Sequence, residues 1–84
     1  MANLALRNLI LRELSTFAAP ITAGGIVQLV RLAMPSASLG DVRDELGALH
    51  DAGRVAYVDN PDAPRDAALR QWTITQAGEL HLKK

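Results

Sequence analysis

The hydrophobic residues of this chain recur at helical spacing in three successive segments. The clearest stripe, at intervals of three, four and three residues, is formed by Leu39, Val42, Leu46 and Leu49. Such spacing places side chains on one face of an α-helix. The segment opens with a capping-box-like Ser-Leu-Gly-Asp at 38–41 and closes at Gly53, where a left-handed backbone is easily adopted. We therefore predict a helix over residues 39–52 with these four side chains buried.

Two earlier segments predict two further helices. The first covers residues 3–17, and we expect one face of it to be buried: Leu6, Ile10, Leu14 and Phe17. Pro20 ends this helix because proline lacks the amide donor that a continuing helix needs. Thr22 is then placed to cap a shorter helix over residues 23–33.

Three more leucines of the first helix, Leu4, Leu9 and Leu11, leave a choice open. Leu4 and Leu11, together with Ala18, broaden the apolar stripe, whereas Leu9 lies nearly opposite and is expected to be exposed. In so small a domain a broadly apolar helix is usually part of the core. The alternative is that these leucines form a surface for a homodimer or another partner.

After the third helix the pattern changes from helical to alternating. Residues 54–59 and 69–74 are predicted to be the two strands of a hairpin, joined by a polar loop rich in turn-forming residues. Trp72 and Ile74 alternate and should share one face of the second strand. Helices followed by a hairpin predict a single α+β domain, mostly helical, over residues 1–84.

Composition narrows the class of protein. The chain has 84 residues, of which 49% are hydrophobic, enough for one modest core. It contains no cysteine, which excludes disulfides and thiolate metal sites and favours a reducing compartment. Charged residues interrupt the first apolar stretch, unlike a signal peptide, and no run approaches the roughly 20 apolar residues of a membrane span. We expect a cytoplasmic protein with no membrane contact.

Two motifs carry a resemblance to a known family. VRDELGALHDAGRV, at residues 42–55, is a leucine-rich helix that ends in Ala-Gly and runs into a strand. WTITQAGELHL, at 72–82, is similar to a recurrent Tyr-x-Leu-Thr-x-x-Gly-x-x-x-Leu ending, represented here by Trp72, Ile74, Thr75, Gly78 and Leu82. Together they resemble the winged helix-turn-helix repressors of the multiple-antibiotic-resistance and phenolic-acid types, over residues 22–82.

This resemblance implies a three-helix winged helix-turn-helix domain with the C-terminal hairpin as its wing. It also implies a small DNA-binding or transcription-regulatory protein whose third helix enters the major groove. The candidate nucleic-acid-binding residues are basic and lie on the third helix or the wing: Arg43, His50, Arg65 and Arg70. A homodimer would bring two such sets together.

The charge pattern departs from that of the family. Nine basic and nine acidic side chains give the chain zero net charge, whereas DNA-binding domains usually carry a basic surplus. Within residues 36–53, four acids (Asp41, Asp44, Glu45 and Asp51) and one arginine give −3. The outer face of the third helix, with Arg43 and His50 on one flank and Glu45 on the other, has no Arg, Asn or Gln to contact base edges.

An alternative function follows from that outer face. Its residues are small or acidic: Gly40, Asp41, Asp44, Gly47, Ala48 and Asp51. Small residues let another backbone approach, and the carboxylates favour a basic protein partner. The chain would then be a protein-interaction module that keeps the winged-helix fold. Either function would suit a small accessory protein of a bacterium or phage.

Enzymatic chemistry finds little support in the sequence. His50 and His81 lie in different predicted elements, and the sequence has no nucleophile-elbow or glycine-rich phosphate-loop motif. No pair of histidines has a spacing suited to a metal ion. We predict neither catalysis, nor a metal site, nor a cofactor.

Overall fold

The computed structural model describes residues 3–17 and 20–83, so Ala18, predicted to broaden the first apolar stripe, lies outside the described residues. The helices are α1 (Leu4–Thr16), α2 (Ala23–Val30), α3 (Leu39–Asp51) and α4 (Gln76–Leu82). The strands are β1 (Ile21–Thr22), β2 (Val55–Val58) and β3 (Gln71–Ile74), which form an antiparallel sheet in the order β1-β3-β2. This is a small, mostly helical α+β domain. No helix in the described ranges is long and apolar enough to cross a membrane.

Local sequence signals explain where the helices begin and end. Each α-helix starts at a residue whose side chain accepts a hydrogen bond from a first-turn amide: Asn3, Thr22, Ser38 and Thr75. The capping box of α3 is confirmed in both directions. The Asp41 amide donates to Ser38 Oγ at 3.1 Å, and the Ser38 amide donates to Asp41 Oδ2 at 3.4 Å. Past the end of α3, Gly53 adopts a φ of 75°, a conformation that costs glycine little.

The predicted hairpin is present, and β3 also pairs on its other side. Tyr57 of β2 and Ile21 of β1 both lie opposite Trp72, so the three side chains share one face of the sheet. The sequence predicted the second strand from residue 69, but Ala67–Leu69 forms a 3-10 turn and the strand starts two residues later. The segment before α2 has extended backbone and joins the sheet as its shortest strand.

The core forms where the helices meet the inner face of the sheet. Six of the predicted core side chains are buried: Leu6, Ile10, Leu14, Val42, Leu46 and Leu49. α1 is the central helix, since it contacts α2, α3, α4 and β3. Trp72 and Ile74 are half-buried and pack against this core from the sheet, as their shared face predicts.

Two residues predicted to be buried are exposed. Leu39 is 40% exposed because it is the first residue of α3 and lies at the edge of the stripe. Ala37, in the preceding turn, occupies the buried position beside it with 3% exposure. Phe17 is 44% exposed because it is the C-cap of α1 and has extended backbone angles, which turn its side chain away from the helical stripe.

The prediction that Leu4, Leu9 and Leu11 together form a homodimer surface is wrong. Leu11 is fully buried, and Leu9 is half-buried against the core rather than exposed. Both lie inside because the helices and the sheet surround α1 on several sides. Of the three leucines only Leu4, at 65% exposure, is free to contact a partner.

The last segment that the structure describes is a helix capped by Thr75. α4 continues to Leu82 and lies against α1, where the Ser15 hydroxyl donates to the Glu79 carboxylate at 2.9 Å. Gly78 allows the close contact between α4 and the start of β2, because a Cβ atom there would collide with the Arg54 carbonyl.

Candidate nucleic-acid interface

The expected charge on α3 changes because Glu45 is not on the surface. Its side chain is buried, its Oε2 accepts a 2.7 Å hydrogen bond from Arg7 Nε, and its Oε1 accepts a 2.8 Å bond from the Asn3 amide. Burial works to raise the pKa of Glu45, but the Asn3 amide and the Arg7 guanidinium outweigh it and hold the pKa below its ordinary value. Glu45 therefore joins α3 to α1 as a carboxylate.

The outer face of α3 nevertheless remains acidic. Five of the six residues predicted to form a protein interface are exposed, and Ala48 is half-buried: Gly40, Asp41, Asp44, Gly47, Ala48 and Asp51. Three exposed carboxylates and one exposed guanidinium, that of Arg43, leave α3 with a charge of −2 once Glu45 is paired with Arg7. Within residues 3–17 and 20–83, none of these three aspartates forms a salt bridge. Asp41 is engaged with Ser38 in the capping box.

Three of the four predicted DNA-binding residues lie together on the flank of α3 that faces the hairpin. Arg43 and His50 are seven residues apart on α3, and Arg70 immediately precedes β3. The His50 ring lies 5.1 Å from the Tyr57 ring and 6.2 Å from the Trp72 ring, measured between centroids. We call these five residues (Arg43, His50, Tyr57, Arg70 and Trp72) the cationic–aromatic cluster.

Arg70 is held in place by two neighbours from β2 and the loop that follows it. Its guanidinium carbon lies 3.9 Å from the centre of the Tyr57 ring, within the range of a cation–π contact. Its Nε donates to Asp59 Oδ1 at 3.0 Å. The Tyr57 and Trp72 rings are themselves 5.1 Å apart, so the sheet register positions the whole aromatic part of the cluster.

A cleft of about 280 Å³ opens between α3, β3 and the start of α2. Its walls are two arginines, a tryptophan and three small residues: Arg43, Arg70, Trp72, Ala23, Gly47 and Ala67. The small residues leave room for a bound group, and the arginines supply hydrogen-bond donors and positive charge. Such a cleft is suited to an anionic group and unsuited to a cation.

Arg65, the fourth predicted residue, is not part of this cluster. It is exposed on the loop between β2 and β3 and lines a shallow depression with Ala63, Pro64 and Asp66. Its position permits contact with a partner that extends beyond the cleft, but it adds nothing to the geometry around Trp72.

Two residues of the cluster were not among the sequence-predicted site residues. The alternating pattern places Trp72 only on one face of the second strand, and the structure shows it packing on the core and also lining the cleft. Tyr57 was assigned only to a strand. The signal that could have identified both is the hairpin register, because a cross-strand aromatic pair next to Arg70 places a cation close to two rings.

The described part of the chain contains no group of three or more His, Asp or Glu side chains arranged to hold a metal ion.

Comparison with protein-family models, with curated proteins and with solved structures finds no match to this chain.

Proposed function

We propose that this chain is a small winged helix-turn-helix protein that binds DNA and regulates transcription. The observation that carries this proposal is a group of basic side chains around an aromatic pair on one flank of α3. Arg43 and Arg70 line one cleft with Trp72, and His50 and Arg70 both contact the Tyr57 ring. The element order, with a helix pair followed by a third helix and a hairpin, supports the winged-helix assignment. In this arrangement the hairpin is the wing.

The charges of α3 constrain how DNA would dock. Phosphate contacts supply most of the affinity of a DNA-binding protein, and the exposed carboxylates Asp44 and Asp51 repel phosphate. The helix would therefore approach DNA with its hairpin flank rather than with its outer face. Arg43 and Arg70 would contact the backbone, His50 would offer a ring N–H as a hydrogen-bond donor, and Arg65 would reach a more distant phosphate. Such binding would depend little on the DNA sequence, because phosphate contacts carry no direct information about the bases.

The test is fluorescence anisotropy with a labelled duplex at low salt. We expect binding that weakens as salt rises, because each phosphate contact releases counterions. Arg43→Ala should reduce the slope of log affinity against log salt by about 1. The matched control is Arg12→Ala, which removes the same charge from an exposed position of α1 beside α4. Absence of binding, or equal effects of the two substitutions, would contradict the proposal.

A second candidate function, a protein-interaction module, is favoured by the exposed carboxylates of α3. Asp44 and Asp51 make no salt bridge within the described chain and are available to a basic partner. Asp41 is a poor choice for testing this function because its substitution would also remove half of the capping box.

The double variant Asp44→Lys/Asp51→Lys separates the two functions. If DNA is the ligand, the variant should bind duplex more tightly because repulsion is removed. If a basic protein is the ligand, the variant should lose its affinity for a lysine-rich peptide, used as the probe in the same anisotropy assay. A variant that changes neither affinity would remove the outer face of α3 from both functions.

A further inference from the structure

We propose that the cleft lined by Arg43 and Arg70 is a phosphate site, and that Asp59 competes with the incoming phosphate for Arg70. Because Asp59 belongs to the same chain, the protein itself lowers the affinity of the site for phosphate. Where the phosphate is part of a DNA backbone, this inference rests on the proposed function. Where it is part of a free phosphorylated compound, the inference stands alone.

The size of the cleft limits what it can hold. Its volume of about 280 Å³ is slightly below the range of roughly 300–1,000 Å³ typical of pockets for drug-sized ligands. A phosphate group with part of its sugar fits such a space, whereas a large organic ligand does not. The two arginine side chains supply the planar, forked donors that suit phosphate oxygens.

The two arginines differ in how much of their hydrogen-bonding capacity is already used. Among the residues that the structure describes, Arg43 forms no salt bridge. Arg70 pairs with Asp59 through Nε, and the Tyr57 ring beneath it fixes the guanidinium plane. Within the same residues no hydrogen bond engages its two terminal amino groups. A ligand can bind these donors first, but it reaches Nε as well only by competing with Asp59.

Asp59 is the carboxylate that a bound phosphate must displace or tolerate. The Arg70 and Asp59 side chains are 28% and 43% exposed, and ion pairs with this much solvent contact are weak. Asp66, which precedes the cleft residue Ala67, is engaged differently, since its Oδ1 accepts from the Ala68 amide at 3.0 Å and caps the 3-10 turn. A phosphate group, which accepts several hydrogen bonds at once, can therefore replace Asp59 on Arg70.

The experiment compares Asp59→Asn with Asp62→Asn. Both substitutions remove one negative charge from the same exposed loop, but Asp62 forms no salt bridge within the described chain. The ligands are inorganic pyrophosphate and a short DNA duplex, and the readout is the fluorescence of Trp72, the only tryptophan in the chain. Because Trp72 lines the cleft, its emission reports occupancy directly.

We expect Asp59→Asn to tighten pyrophosphate binding by about two- to fivefold, the range that corresponds to loss of an exposed ion pair. Asp62→Asn should leave the affinity close to that of the wild type. Arg70→Lys keeps the charge but lacks the forked donors of the guanidinium. It should weaken pyrophosphate binding both in the wild type and in the Asp59→Asn variant. Far-ultraviolet circular dichroism of each variant verifies that the fold is retained.

The outcomes separate this inference from the proposed function. Equal affinities of Asp59→Asn and Asp62→Asn would overturn the competition, even if duplex binding remains sensitive to Arg43→Ala. A pyrophosphate response that depends on Asp59, without any duplex binding, would support the phosphate site and reject the DNA function. A response to duplex alone would identify the backbone as the source of the phosphate. Failure of both ligands to change Trp72 emission would reject the site.

Discussion

Gly78 provides the most direct test of how α4 packs on the hairpin. A Cβ atom at this position would collide with the Arg54 carbonyl oxygen and lie 2.6 Å from Cγ1 of Ile74. The carbonyl is not free to move away, because it accepts a 3.0 Å hydrogen bond from the Thr75 amide. Gly78→Ala should therefore push α4 outward. Because the obstacle is backbone, we expect a cost near the upper end of the about 1–3 kcal/mol typical of overpacking, which exceeds the roughly 1 kcal/mol that alanine gains over glycine within a helix.

The matched control for this substitution is Gly47, in the middle of α3. A Cβ atom there would meet no atom of the described residues within 4 Å, so Gly47→Ala should raise the free energy of unfolding by up to about 1 kcal/mol. Denaturant unfolding of both variants measures the difference, and each kcal/mol should shift the melting temperature by about 4–8 °C. If Gly78→Ala is as stable as the wild type, the close approach of α4 to Arg54 is refuted.

Three further predictions concern the buried ion pair, the core and the glycine that follows α3. The lowered pKa of Glu45 means that its stabilisation is present above about pH 4.5 and is lost as pH falls through the folded-state pKa. Glu45→Gln should thus lower the unfolding free energy by about 1–3 kcal/mol at pH 7, and denaturant unfolding should show the loss shrinking in acid. A pH-independent loss would show that Glu45 stabilises through packing alone. Leu46→Ala should lower the free energy of unfolding by about 2–5 kcal/mol because Leu46 is fully buried. Leu32→Ala should lower it by less than about 0.5 kcal/mol because Leu32 is 85% exposed. Similar losses for the two variants in urea titrations would contradict the assigned core. Gly53→Ala should cost about 1–2 kcal/mol because of its positive φ, and thermal unfolding that matches the wild type would argue against that conformation.

Periodicity predicted the parts of the fold that local spacing controls. Val42, Leu46 and Leu49 face the core as their spacing indicates, and Ser38 caps α3 as expected. The same reasoning was wrong for Leu39, because spacing does not reveal where a helix end projects past its neighbours. The bounds of α3 and of the two hairpin strands were nevertheless predictable within two residues. The predicted end of the second helix at residue 33 was wrong, because α2 ends at Val30 and the next residues form a turn with bonds to residues three earlier.

The features that depend on distant partners could not be predicted from spacing. A glutamate that follows charged residues, as Glu45 follows Arg43 and Asp44, ordinarily indicates the solvent-facing side of a helix. Glu45 is buried instead because Arg7, 38 residues earlier, neutralises it. Tyr57 and Trp72 become part of the candidate site only once the strand register and the flank of α3 are known. The sequence identified Arg43, His50 and Arg70 as candidates, and the fold determined that they lie together.

The contact of Glu45 with Arg7 and the Asn3 amide also fixes the rotational setting of α3. Turning the helix about its axis toward the core by one residue, roughly 100°, would carry the ionised carboxylate away from both donors and into the buried place of Leu46. That penalty is steep for an uncompensated charge, whereas leucines and valines can exchange places at lower cost. The buried carboxylate thus favours one rotation of α3 about its own axis. In that rotation Arg43 and His50 face the hairpin.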